Sequence, residues 1–267
     1  MPYLLGSRQA ERKEVIAVKA LVTGASSGIG REIARELVVR GWDVIVVARR
    51  ADRLKELKKE LGKHVMCVRC DISHAAECKK LYEVLKDQDI EMLVNCAGFG
   101  LCGEFDETEL ETELQMVDTN VIAVHTLTKL YLRDFVKKNR GYILNVASIA
   151  GFFSGPLMAT YYATKNYVVS LTGGIYEELK RKKSNVNICA LCPGPVDTEF
   201  NKVAGVSFSS KPIDARTAAS VGLDGVMSGK LYAIPGFKMK ALKFVKRLLP
   251  ERILIQFCYK FQKKKRY

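Results

Sequence analysis

The chain is short of histidine, of acid near its end, and of long apolar runs, and each shortage closes a route. Three histidines among 267 residues, with no ligand spacing between them, make no metal site. No stretch approaches the roughly 18 consecutive apolar residues that cross a membrane. The first 230 residues contain no internal repeat and no low-complexity tract. From Met1 to Lys13, charges are scattered where an export signal is apolar, so the protein is expected in the cytoplasm. Between Lys230 and Tyr267 one acid, Glu251, stands against twelve Lys or Arg, a local charge of 12 − 1 = +11. The whole chain carries +14, which leaves 14 − 11 = +3 for everything before the tail. Basic character belongs to the tail.

What is present suits a large single α/β domain: 48% of the residues are apolar, ample for a buried core. Eight cysteines include two CxxC pairs, Cys67/Cys70 and Cys189/Cys192. Both pairs lie in β-like apolar runs, where residues three apart point to opposite faces and cannot chelate together. A cytosolic chain also keeps its thiols reduced. No bound metal is expected.

Short β-branched runs at Val15–Thr23, Asp43–Ala48, His64–Cys70, Met92–Asn95, Gly141–Val146, Asn185–Cys192 and Leu231–Ile234 read as strands. Helical patterns at Ile29–Arg40, Ala51–Leu61, Ala75–Lys86, Leu110–Lys138, Tyr161–Lys183 and Asp214–Met227 alternate with them. Alternation of this kind predicts a doubly wound parallel sheet of about seven strands with helices on both faces. Residues 1–236 are read as this Rossmann-type catalytic domain and 237–267 as a basic amphipathic helical tail.

At the end of the first strand, "TGASSGIG" places Gly24, Gly28 and Gly30 in a strand-to-helix turn. Such glycines allow close backbone approach, and the following helix N-terminus offers free N–H groups to a pyrophosphate. Ser26, Ser27 and Ile29 lie in the same turn. The second strand runs into Arg49 and Arg50, where an NAD site places a carboxylate for the ribose hydroxyls. Arginine there suits the 2′-phosphate of NADP(H); the alternative is two cations that cap the strand or face solvent.

The stretch "ATYYATKNY" sets Tyr161 and Tyr162 four and three residues before Lys165. On a helix both are within reach of the lysine, so spacing inside the stretch does not choose between them.

These motifs, in their order, resemble those of the short-chain dehydrogenase/reductases, from about Lys19 to Gly236. Within that family the chain is most similar in appearance to the hydroxysteroid dehydrogenases and long-chain 3-ketoacyl reductases. "CDI" at Cys70–Ile72 carries Asp71 and Ile72 at the adenine contact. "NCAG" brings Asn95, Ala97 and Gly98, with Cys96 in place of a second Asn. "TNV" brings Asn120, and "PGPVDT" brings Pro193, Gly194, Val196 and Thr198. The resemblance implies a catalytic tyrosine thirteen residues after the serine and four before the lysine, which selects Ser148, Tyr161 and Lys165. It further implies that Lys165 holds the nicotinamide ribose and that Asn120 positions a water reaching Lys165.

An unperturbed tyrosine, with a pKa of about 10, is a sluggish proton donor at neutrality. The lysine ammonium is expected to lower that value, while Ser148 hydrogen-bonds the reacting oxygen. Leu101, Phe152, Phe153, Leu157, Met158, Phe200 and Phe208 lie in candidate pocket segments, apolar enough for a lipophilic ketone or alcohol such as a steroid. A 3-ketoacyl reductase and a broad carbonyl reductase are the alternatives. From a different class, an NADP-sensing binding protein is disfavoured because the tyrosine and lysine are retained. Expected partners are the small lipophilic substrate and copies of the chain, as homodimer or homotetramer. The tail, broken at Pro250, reads as an amphipathic surface helix rather than a nucleic-acid arm. It is expected to touch a membrane peripherally, to cover the substrate entrance, or to pack on the domain or a second subunit.

Overall fold

The computed structural model describes residues 18–207 and 212–263. Seven strands form one parallel sheet: β1 (Lys19–Thr23), β2 (Asp43–Ala48), β3 (Val65–Arg69), β4 (Ile90–Asn95), β5 (Gly141–Val146), β6 (Val186–Leu191) and β7 (Tyr232–Ala233). Their order is β3-β2-β1-β4-β5-β6-β7. Strands buried on both faces need apolar residues at every position, and β1 complies: Ala20, Leu21 and Val22 are all fully buried. Ala20 and Val22 face one core with α1 (Gly28–Val39), α2 (Ala51–Leu61) and α8 (Ala215–Met227). Leu21 faces the other, with α3 (Ala75–Leu85), α5 (Ala123–Lys138) and α6 (Ala159–Arg181). The order reverses at β1 and β4, and the crevice beyond their carboxyl ends is where such sheets bind ligands.

The two cysteine pairs obey the strand geometry. Cys67 packs against the first core and Cys70 lies in the second. Cys189 belongs to the first core and Cys192 to a third cluster under the tail.

Boundaries moved where pairing decides them. β4 starts at Ile90, two residues before the apolar run, because Ile90 pairs with Lys19. Val18 lies outside β1, and the earlier part of the expected first strand is outside the described residues. The continuous helix expected over Leu110–Lys138 is α4 (Leu110–Val117) and α5 joined by a wide π turn at Asp118–Ile122. After the short α7 (Phe200–Val203), the chain reaches α8, whose first turn Asp214 caps through Thr217 N–H at 2.8 Å. The tail folds as α9 (Phe237–Val245) and α10 (Glu251–Lys263), with Pro250 between them.

Candidate active site

Thr23 closes β1 by fastening it to β4. Its hydroxyl donates to Val94 O at 3.2 Å and accepts the N–H groups of Cys96 at 3.0 Å and Ala97 at 3.3 Å. Gly24 then crosses this strand end at φ +69°, so close that a Cβ would lie 2.7 Å from the Ala97 backbone. A Cβ on Gly30 would lie 2.5 Å from Gly24 O. Only glycine serves at these two positions.

The turn delivers the chain into α1 with Ser27 as N-cap, no side-chain cap bond and no acid in the first turn. Arg31 is the first residue whose N–H bonds back, to Ser27 O. Uncapped N–H groups at the positive end of a twelve-residue helix fit a dinucleotide pyrophosphate. Ser26, Ser27, Gly28 and Ile29 line the cleft above them, with Asp71, Ile72, Ala97 and Gly98.

Arg49 and Arg50 line the same cleft. Arg50 donates to Ser27 Oγ at 2.8 Å, Ser26 Oγ at 3.1 Å and Glu199 Oε2 at 2.8 Å. Arg49 lies 3.8 Å from the Asp71 carboxylate. The Arg50 guanidinium is thus held beside the glycine turn, while that of Arg49 stands by Asp71 at the cleft edge.

Ser148 follows β5 after one residue, Ala147. Its Oγ accepts Ala150 N–H at 3.1 Å and lies 3.5 Å from Pro193 O, to which it donates. Tyr161 and Lys165 sit one turn apart on α6, both buried. Lys165 Nζ donates to Val146 O at 2.9 Å and lies 5.9 Å from the centre of the Tyr161 ring. Burial pushes the Tyr161 phenol up to about 12, opposed by its hydrogen bond with Ser148. Burial likewise pushes the Lys165 ammonium down to about 8. The expected net lowering of the tyrosine is therefore corrected: desolvation is the largest influence on both groups, and one N–H of the Lys165 ammonium goes to Val146 O.

The surroundings separate the two tyrosines: the Tyr161 ring packs against Phe200 and its phenol lies close enough to Ser148 to feel that hydroxyl, whereas the Tyr162 hydroxyl accepts Gln262 Nε2 from the tail at 2.6 Å. The two rings meet edge to face at 6.1 Å.

Asn120 lies in the π turn and is fully buried. Its Nδ2 donates to Phe99 O at 2.9 Å and Thr164 Oγ1 at 3.1 Å, and its Oδ1 accepts Phe99 N–H at 3.1 Å. A Cβ on Gly98 would lie 2.7 Å from that Oδ1 and 3.5 Å from Lys165 Nζ. The wide turn thus sets Asn120 under the floor of the cleft, next to the lysine.

Other expected residues separate. Pro193, Gly194, Val196, Thr198, Phe153, Met158 and Phe200 line the cleft. Phe200 approaches the Tyr161 ring at 5.4 Å. Asn95 does not line it: its Nδ2 donates to Asn145 Oδ1 at 2.8 Å and Thr128 Oγ1 at 3.0 Å, tying β4 to β5 and α5. Leu101 packs beside the cleft with the Met158 and Phe200 cluster instead of forming its wall. Phe152 is turned into the third cluster, edge-on to Tyr232 at 5.3 Å. Phe208 lies outside the described residues.

The tail supplies the remaining wall of this cleft of about 970 Å³, through Met239, Leu242, Leu254, Phe257 and Gln262. The Gln262 amide is almost fully buried and its Oε1 has no hydrogen-bond partner among the described residues. No spacing rule reaches from residue 162 to residue 262, so nothing in the sequence marks that pair.

A family model described as short chain dehydrogenase matches residues 18–205. The 7beta-hydroxysteroid dehydrogenase of Clostridium sardiniense is 30% identical over 204 residues, covering 75% of this chain and 75% of the relative. The very-long-chain 3-oxoacyl-CoA reductase of Anas platyrhynchos is 27% identical over 233 residues, 84% of this chain and 74% of that one. Among solved structures, a short-chain dehydrogenase from Sphingobium yanoikuyae in complex with NADPH superposes with a TM-score of 0.76 at 28% identity, over 86% of this chain and 94% of its own.

Proposed function

The chain belongs to the short-chain dehydrogenase family, and from that premise we propose that it interconverts a lipophilic ketone and its secondary alcohol with NADP(H). One observation carries the reading: a single cleft has the uncapped glycine turn, Arg49 and Arg50, and the Ser148–Tyr161–Lys165 group in its walls. The residue after β2 is not the carboxylate that ribose hydroxyls favour. It begins a pair of guanidinium groups, whose planar forks match a 2′-phosphate.

When bound, the reduced nicotinamide supplies a hydride to the carbonyl carbon. Tyr161, still protonated at neutral pH because its pKa lies near 12, donates its phenolic proton as charge grows on the carbonyl oxygen. Ser148 Oγ–H turns from Pro193 O to that oxygen and stabilises the same charge. The phenolate left behind lies near the Lys165 ammonium, which gains most from this charge when it is itself desolvated. Asn120, locked by Phe99 and Thr164, holds the floor beneath Lys165. Apolar walls from Met158, Phe153, Phe200 and the tail favour a water-poor substrate, supported by the relatives named for hydroxysteroid and very-long-chain 3-oxoacyl substrates.

Fluorescence titration of the purified protein should give NADPH at least about tenfold tighter than NADH, the ~1.4 kcal/mol of a charged phosphate clamp. Arg49→Asp should weaken NADPH and narrow the gap. Equal affinity of the unmutated protein for both nucleotides would overturn the cofactor reading.

A further inference from the structure

Helices α9 and α10 do more than close the cleft. Phe237, Phe244 and Leu248 are 84%, 63% and 69% exposed and lie outside the cleft lining. Leu242 and Phe257 line the cleft yet remain 41% and 61% exposed. The wall of the substrate end therefore continues outward into exposed apolar surface. Single exposed apolar residues are ordinary; a group of them at the mouth of an apolar cleft is not.

Cations stand among these side chains. Phe237, Lys240 and Phe244 recur at three- and four-residue spacing on α9, and Ile253, Phe257 and Lys260 do the same on α10, which puts each set on one helix face. Among the described residues, no Lys or Arg from Phe237 to Lys263 pairs with a carboxylate, while Arg35, Arg40, Arg50 and Arg140 of the domain all do. Lys243 instead lies over the Tyr232 ring, 3.6 Å from its centre. The tail thus combines exposed apolar side chains with cations that have no carboxylate partner among the described residues, in a stretch, 230–267, whose net charge is +11.

We infer that this cleft rim is a docking surface for an anionic lipid bilayer, onto which the substrate end of the cleft opens. The bilayer interface accepts aromatic and aliphatic side chains, and its headgroups balance the lysines and arginines around them. Nucleic acid would answer the charge but leave the apolar residues in water. A second copy would bury the apolar residues but oppose one basic tail to another. No described helix is long and apolar enough to cross the membrane, so the contact is peripheral. A ketone dissolved in the bilayer then reaches Tyr161 without passing through water. That last step rests on the proposed lipophilic substrate; the docking does not.

Vesicle sedimentation of the full chain without nucleotide tests it. The protein should pellet with phosphatidylcholine–phosphatidylglycerol vesicles and stay in solution with phosphatidylcholine alone. Binding should fall as salt rises from about 0.1 to about 1 M and the Debye length shrinks from about 10 to about 3 Å. Each cation at an anionic surface contributes about fivefold, so Lys238→Glu with Lys240→Glu should weaken partitioning at least tenfold. Phe244→Glu with Leu248→Glu should do the same while leaving NADPH affinity and turnover of a water-soluble ketone unchanged. No pelleting at low salt, or equal pelleting with both vesicle types, overturns the inference. So does a drop in molar mass by light scattering in the Phe244/Leu248 variant with no vesicle binding in the parent, which would make the surface a contact between copies. Failure of turnover with intact vesicle binding would instead count against the catalytic reading alone.

Discussion

Tyr161→Phe should lower turnover by about 10²- to 10⁴-fold, the range expected for losing a positioned general acid, with NADPH affinity nearly unchanged. The ring remains in its place against Phe200 and Tyr162, so the variant loses only an oxygen and its proton. Tyr162→Phe is the matched control. Its hydroxyl faces Gln262 of the tail rather than Ser148, so turnover at saturating substrate should stay within a few fold. The control still has a cost. With its partner gone, the buried Gln262 amide is left unsatisfied, which costs about 1–3 kcal/mol and loosens α10. The expected mark is a raised KM with kcat retained. Steady-state kinetics of the two variants decide the assignment. An inactive Tyr162→Phe beside an active Tyr161→Phe would reverse the roles.

Lys165→Met should abolish most turnover and at the same time stabilise the protein. The ammonium is buried, and burial brings its pKa from an ordinary 10.5 to about 8, equivalent to ~3 kcal/mol of desolvation cost at neutral pH. The sign follows from proton counting. Between about pH 8 and 10.5 the unfolded chain binds the proton and the folded chain does not, so stability rises with pH across that window. Below about pH 8 both states are charged and the full penalty applies. Methionine fills much of the same space without the charge but leaves Val146 O without its donor, a loss of ~1 kcal/mol. The net gain of ~2 kcal/mol corresponds to a rise in Tm on the order of 5 °C for a protein of this size. Thermal melts of parent and variant should differ most at pH 7 and converge towards pH 10. A variant less stable than the parent at every pH would mean that the ammonium is compensated by partners beyond Val146 O.

How much of this was legible in the residues varies with the kind of signal. Alternating strands and helices follow from periodicity, which is why the sheet and its helices stand where apolar spacing put them. The glycine turn was legible because a close approach such as Gly24 on Ala97 admits no side chain. Tyr161 was selected by a resemblance, from Ser148 thirteen residues earlier; the structure sets both in one cleft wall with Lys165, while the Tyr162 hydroxyl is taken by Gln262. Periodicity could not resolve the π turn at Asp118–Ile122, because one widened turn leaves the apolar faces on either side almost in phase. Nor could it separate Phe152 from Phe153: both pack into the third cluster, Phe153 also reaches the cleft wall, and Phe152 is taken up by its edge-on contact with Tyr232. Asn95 shows the same limit. A polar residue at a strand end can face ligand or core, and here Thr128 and Asn145 hold it in the core. Electrostatics was the least legible, since a spacing of four between Tyr161 and Lys165 carries no information on how deeply both are buried.

The proposed reaction moves a hydride from NADPH to the carbonyl carbon of a lipophilic ketone. NADPH deuterated at both C4 positions, incubated with the protein and a panel of steroid ketones, 3-ketoacyl thioesters, sugars and small aldehydes, tests it by mass spectrometry of the products. One deuterium should appear on the carbinol carbon of a steroid or long-chain product, and none should appear with Tyr161→Phe. NADPH that binds tightly but transfers no deuterium to any member of the panel would contradict the account.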